Sequence, residues 1–157
     1  MDLQLEQIAP NFNAIDDQGN DISLYEFKGK WVILYFYPKD NTSGCTKEAC
    51  SFRDNLSELS ALNAEVIGVS PDSVKSHQNF KNKFDLNFRL VSDESKEICN
   101  LYGILGEKSM YGKKYIGVVR STFILDPQSN IKWIKKNVKV EGHIEEVRAA
   151  LNKLQEK

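Results

Sequence analysis

The sequence predicts an α/β fold: a central mixed β-sheet flanked by helices, with a β-hairpin near the N-terminus. Three observations carry that prediction. Apolar runs of strand length alternate along the chain with stretches of helical period. The last two strands flank a tight turn, so the sheet is mixed rather than all parallel. The length of 157 residues suits one compact domain and is short for two, so residues 1–157 are read as a single domain.

The elements follow in order. Residues 11–24 alternate around Asp16-Asp17-Gln18-Gly19-Asn20, which reads as a small hairpin turning at Gly19. Residues 31–37, Trp-Val-Ile-Leu-Tyr-Phe-Tyr, form an unbroken β-branched and aromatic run between Gly29 and Pro38, as expected of a central strand buried on both faces. Residues 38–44 are a polar loop. A helix is expected from Cys45 to about Leu62, with Phe52, Leu56, Leu59 and Leu62 at helical spacing. Residues 65–69 read as a second buried strand. Residues 74–84 read as a helix with Val74, His77, Phe80, Lys81 and Phe84 along one side. A short strand at 89–91 and a short helix at 95–102, ending at Gly103, come next. Residues 107–117 are rich in Gly and Lys without a clear period and are expected to be an excursion loop. A strand at 120–125, a turn at 126–130 and a strand at 131–135 make the closing hairpin. A final helix spans 141–154, with Ile144, Val147, Leu151 and Leu154 on one face.

Composition excludes several classes of function. Hydrophobic residues make up 41% of the chain, enough for a packed core. Twenty-one basic residues balance 22 acidic ones, giving a net charge of −1. That argues against a strong electrostatic drive to nucleic acid or anionic membrane, though it leaves room for a local basic patch. The longest apolar run, residues 31–37, is too short to span a bilayer. The opening M-D-L-Q-L-E-Q-I-A-P has two acids, no base and no apolar core, unlike a secretory signal or transit peptide, so the cytoplasm is the default compartment.

Cys45, Cys50 and Cys99 are odd in number and unevenly spaced, which does not suit a disulfide scaffold. Cys45 follows a buried strand and opens a helix, the layout of a thioredoxin-like redox site. Unpaired backbone N–H groups and the positive end of the helix dipole favour a thiolate there. Its neighbours Ser43, Gly44, Thr46 and Lys47 are small or polar, which argues against an inert packing thiol. Thr42 has a hydroxyl that can serve the thiolate or cap the helix. Pro38 alone signals only the end of a strand. On an ideal helix, Cys45 and Cys50 have Cα atoms about 8.7 Å apart, beyond the roughly 7 Å limit for a disulfide. That spacing suits a pair bonding only after local unwinding, and taken alone it suits a core thiol at Cys50 better.

Pro38, Thr42 and Cys45, as P-x-x-x-T-x-x-C, resemble the active-site signature of peroxiredoxins. Cys50 and the S-T-F-I-L-D run after Arg120 make the chain similar to the bacterioferritin comigratory protein (PrxQ) subfamily. Ala9-Pro10-Asn11-Phe12, Gly68-Val69-Ser70, Leu90-Val-Ser-Asp93 and Gly106-Glu-Lys-Ser109 extend the likeness over nearly the whole chain. Ser43 departs from the proline frequent there, which alters loop stiffness. The resemblance implies a thioredoxin-like fold of peroxiredoxin type and a peroxidase of hydrogen peroxide and organic hydroperoxides that needs no cofactor and no metal. It implies that Cys45 attacks the peroxide and becomes a sulfenic acid. Arg120 would stabilise the sulfur and the leaving oxygen, Thr42 would hold the peroxide and the thiolate, and Pro38 would shield the sulfur from water. The backbone N–H of Cys45, with that of Gly44, would hold the other peroxide oxygen. Cys50 would resolve the sulfenic acid as an intramolecular disulfide, which thioredoxin or a similar dithiol partner reduces. It also implies a monomer.

A disulfide oxidoreductase of thioredoxin type lacks its C-x-x-C, and a thiol redox sensor would use the same two cysteines. C-x-x-x-x-C fits zinc-finger spacings poorly. His77 and His143 have no third ligand nearby in sequence, and Cys99 reads as a buried structural thiol. Lys108, Lys113 and Lys114 read as a solvated basic tip, and Trp31 and Trp133 as core or sheet-face residues.

Overall fold

The structure is a computed structural model and describes residues 3–156, so the first two residues of the N-terminal stretch read above lie outside the described part. Strands β1 (Asn13–Asp16) and β2 (Asp21–Ser23) form the expected hairpin, turning at Gly19 with φ +79°. β3 (Trp31–Phe36), helix α1 (Ser43–Ala61) and β4 (Ala64–Ser70) make one parallel crossover. Helix α2 (Val74–Phe84) and β5 (Arg89–Ser92) make the next. Helix α3 (Glu97–Leu101) leads to β6 (Leu105–Met110) and β7 (Lys113–Val118). β8 (Ser121–Leu125), β9 (Ile131–Lys136) and helix α4 (His143–Gln155) close the chain.

The main sheet has the order β2-β1-β5-β4-β3-β8-β9. Its centre, β3, β4 and β5, is parallel, and its outer pairings are antiparallel. The mixed sheet flanked by helices is therefore as expected, and it is the thioredoxin-like arrangement. Period-2 alternation in β3 explains the two cores. Val32, Leu34 and Phe36 face one of them, together with Phe12, Cys99, Tyr102 and Phe123. Ile33, Tyr35 and Tyr37 face the other, with Cys45, Ala49 and Phe52 of α1, Phe80 of α2, and Val147 and Leu151 of α4. Each buried Val, Leu, Ile or Phe side chain contributes roughly 1.5–3 kcal/mol, so Phe52 and Leu59 hold α1 against the sheet. Gly68 lets Tyr35 lie over β4: a Cβ there would stand 2.9 Å from the ring.

Residues 107–117 differ from expectation. They belong to the antiparallel hairpin β6–β7, which forms its own two-stranded sheet. Tyr111 and Gly112, at φ +53° and +78°, turn the chain in the sense that suits a two-residue hairpin loop. Most of its residues are exposed on both faces, so no apolar alternation marks it. Helix α1 also starts at Ser43 rather than at Cys45. Among the described residues, no helix is long and apolar enough to cross a membrane.

Candidate active site

β3 delivers the chain to Pro38, and the loop turns back into α1. Thr42 is the helix N-cap by backbone geometry, but its hydroxyl donates to the Lys39 carbonyl at 2.9 Å. The first intrahelical bond runs from the Thr46 N–H to the Thr42 carbonyl. The amides of Gly44 and Cys45 therefore precede any helical carbonyl that could accept from them. Cys45 sits on the buried face of this first turn, 2% exposed, directly below Ala49.

Arg120 reaches the same point from 75 residues away. β8 pairs antiparallel with β3, with Ser121 opposite Phe36, so the residue before β8 stands beside the end of β3. The Arg120 guanidinium donates from Nη2 to Cys45 Sγ at 3.2 Å and from Nη1 to Glu48 Oε1 at 2.7 Å. Gly44 makes room for it: a Cβ there would stand 3.3 Å from Nη2. Glu48, one turn after Cys45, is the site residue that the sequence reading missed. Its signal was the three-residue spacing that puts both on one helix face. Burial pushes its carboxyl up to about 7 against the pull of Arg120, and among the described residues Oε2 has no hydrogen-bond partner. Burial weakens the Arg120 charge, but Glu48 and Cys45 more than restore it, so the guanidinium stays protonated. Replacing Arg120 with alanine is expected to slow oxidation of Cys45 by peroxide about 10²–10³-fold, the usual cost of losing one donor to a developing oxyanion. Stopped-flow oxidation of the reduced protein measures it, and an unchanged rate would remove Arg120 from the chemistry.

Pro38 and Thr42 line a cleft of about 400 Å³ with Lys108, Met110, Tyr115 and Ile116 of the β6–β7 hairpin. The Lys108 ammonium is pushed down, first by partial burial and then by Arg120, while the Cys45 sulfur pulls the other way.

The other thiols are separate. Cys50 lies half-buried in the unbroken helix α1, and its thiol is free, as is that of Cys45. Cys99 lies in the core on the opposite face of the sheet, where burial and Asp93 raise its thiol far above the ordinary range. His143 is buried against Thr122, 2.8 Å from its hydroxyl.

His77 has neighbours that spacing in the sequence did not show. Asp40, in the loop after β3, stands 2.7 Å from its Nδ1, and Asp72 completes a group whose ligand atoms lie within 4.8 Å. Hydrogen bonding already occupies this group. The Tyr37 and Ser76 hydroxyls donate to Asp40 at 2.5 and 2.8 Å. Asp72 accepts from the Asp40 N–H and the Ser70 hydroxyl at 2.8 and 2.6 Å. Nε2 of His77 faces the Val91 carbonyl at 3.0 Å, which can only accept. A second proton then lies between Nδ1 and the carboxylate, which makes His77–Asp40 a buried ion pair tying the loop to α2.

The chain is similar to known proteins over most of its length. The AhpC/TSA family model matches residues 5–134. A putative peroxiredoxin bcp of Coxiella burnetii is 50% identical over 147 residues, 94% of this chain and 97% of that protein. Peroxiredoxin Bcp of Escherichia coli K12 is 40% identical over 141 residues, 90% of each. The Xanthomonas campestris bacterioferritin comigratory protein, solved as trapped intermediate and ligand complexes in a study of alkyl peroxide reduction, has a TM-score of 0.88 at 40% identity over 92% of each chain. A Xylella fastidiosa PrxQ structure has a TM-score of 0.90 at 38% identity over 99% of this chain and 97% of that one. With a family model spanning most of its length and such relatives, the chain belongs to the AhpC/TSA family, in its peroxiredoxin Bcp (PrxQ) branch.

Proposed function

We propose that this chain is a thiol-dependent peroxidase acting through Cys45. The observation that carries the reading is the Arg120 guanidinium 3.2 Å from Cys45 Sγ, at the first turn of α1. The Cys45 thiolate attacks one peroxide oxygen, and the O–O bond breaks. The sulfur becomes a sulfenic acid, and the other oxygen leaves as water or alcohol after taking a proton. Arg120 meets the charge shared between sulfur and leaving oxygen, and the amides of Gly44 and Cys45 hold that oxygen. Thr42, whose hydroxyl proton already goes to Lys39, keeps lone pairs free to accept from a protonated peroxide oxygen. Pro38 shields the sulfur.

Cys50 then attacks the sulfenic sulfur, releasing water and leaving an intramolecular disulfide. A dithiol of thioredoxin type reduces it by exchange. No cofactor enters the cycle. The apolar part of the cleft, Pro38, Met110, Tyr115 and Ile116, suits organic hydroperoxides as well as hydrogen peroxide. Action as a monomer in the cytoplasm completes the proposal, since both thiols belong to one chain. Dithiol exchange as the main activity is disfavoured, because a continuous helix separates the two sulfurs.

Intact mass measurement after one equivalent of peroxide, with peptide mapping, tests the cycle. The expected result is loss of two hydrogens at the 45–50 pair. In Cys50→Ser, one equivalent should be consumed, one oxygen retained on Cys45, and thioredoxin-linked turnover stalled. Unimpaired turnover of that variant would take the resolving role away from Cys50.

A further inference from the structure

The β6–β7 hairpin carries more than the wall of a cleft. Four of the exposed large hydrophobic residues fall within it: Met110, Tyr111, Tyr115 and Ile116, with Tyr111 98% exposed at the tip. Basic residues interleave with them. Met110 pairs across the hairpin with Lys113, and Tyr115 with Lys108. Lys39 and Lys96 stand on the cleft rim beside the hairpin, and Lys114 meets Glu107 at 3.3 Å. Among the described residues, Lys39, Lys108 and Lys113 have no carboxylate within ion-pair reach, so this face is basic although the chain as a whole carries a net charge of −1.

We propose that the hairpin docks the protein on an anionic lipid surface. The tip side chains would enter the boundary between headgroups and acyl chains, and the lysines would meet the phosphates. The shape favours a bilayer over a protein partner. Three strand residues at about 3.3 Å each put the Tyr111 tip about 10 Å beyond Lys108, the depth to which interfacial elements sink. A protein reductant needs instead a surface closed around the sulfurs of α1. Lys108, midway along β6, lines the same cleft as Pro38 and Thr42, so docking would bring the candidate active site to the plane where peroxidised acyl chains surface. That purpose rests on the peroxidase reading, whereas the docking itself does not.

Co-sedimentation of the reduced full-length chain with vesicles, no peroxide present, tests the proposal. Vesicles of equal parts phosphatidylglycerol and phosphatidylcholine should bind it about tenfold or more tightly than phosphatidylcholine alone, less so at high salt. Tyr111→Asn keeps a residue suited to positive φ, and it should weaken binding, as should Lys113→Glu with Lys114→Glu. Both variants should reduce hydrogen peroxide at the parent rate. No sedimentation with anionic vesicles, or equal sedimentation of parent and variants, would overturn docking. So would a raised KM for the dithiol reductant with vesicle binding unchanged, which would assign the hairpin to a protein partner. A chain that binds vesicles but turns over no peroxide would instead sink the peroxidase reading alone.

Discussion

Cys45→Ser is expected to abolish peroxide turnover while leaving the fold intact. The substitution changes one atom at a position 2% exposed, and it keeps an acceptor for the Arg120 Nη2. A serine hydroxyl stays protonated there and cannot become a sulfenic acid. Nothing nearby can replace it: Cys50 is more than a turn further along α1, and Cys99 lies across the sheet. Peroxide consumption in a coupled thioredoxin assay should fall to the rate without enzyme, with an unchanged circular dichroism spectrum. Retained turnover would overturn the assignment of chemistry to Cys45.

Asp40→Ala should produce the largest loss of stability. Asp40 is 6% exposed, and His77 is fully buried beside it. Removing the carboxylate leaves a buried imidazolium and two hydroxyls without their acceptor. Breaking one side of a buried ion pair costs about 3–5 kcal/mol, which for a chain of this size lowers Tm by roughly 10 °C. Burial, the largest single influence, lowers the His77 pKa, but Asp40, the Val91 carbonyl and Asp72 together outweigh it and raise it, Asp40 contributing most. The pair's contribution is therefore complete below the unfolded value of about 6.5. It is lost as pH rises through the raised value in the folded protein. The gap in Tm between parent and variant should be widest in mild acid and narrow in alkali. A gap that widens with pH would show that His77 is neutral.

Much of this architecture was legible because local and global preferences coincide. Residues 31–37 could be read as a central strand because they are apolar throughout, and α2 has the limits its periodicity set. The β6–β7 hairpin was hidden because a ribbon wet on both faces has no period to read. The likeness singled out Pro38, Thr42, Cys45 and Arg120, and the β3–β8 pairing brings Arg120 to Cys45 in space. Glu48 was missed since a helical glutamate is ordinarily solvent-facing. Asp40 and His77 are 37 residues apart in sequence, and only the crossover through β4 makes them neighbours.

The opening of α1 has one further consequence. Its first residues, Ser-Gly-Cys-Thr, are weak helix formers, and no acidic side chain sits in that turn. On the proposed cycle, every round of catalysis must fray this end and re-form it. Softness there is then a working part of the enzyme. An engineer who stiffened it with alanines and a better cap would gain thermal resilience and lose throughput, since one segment would set both.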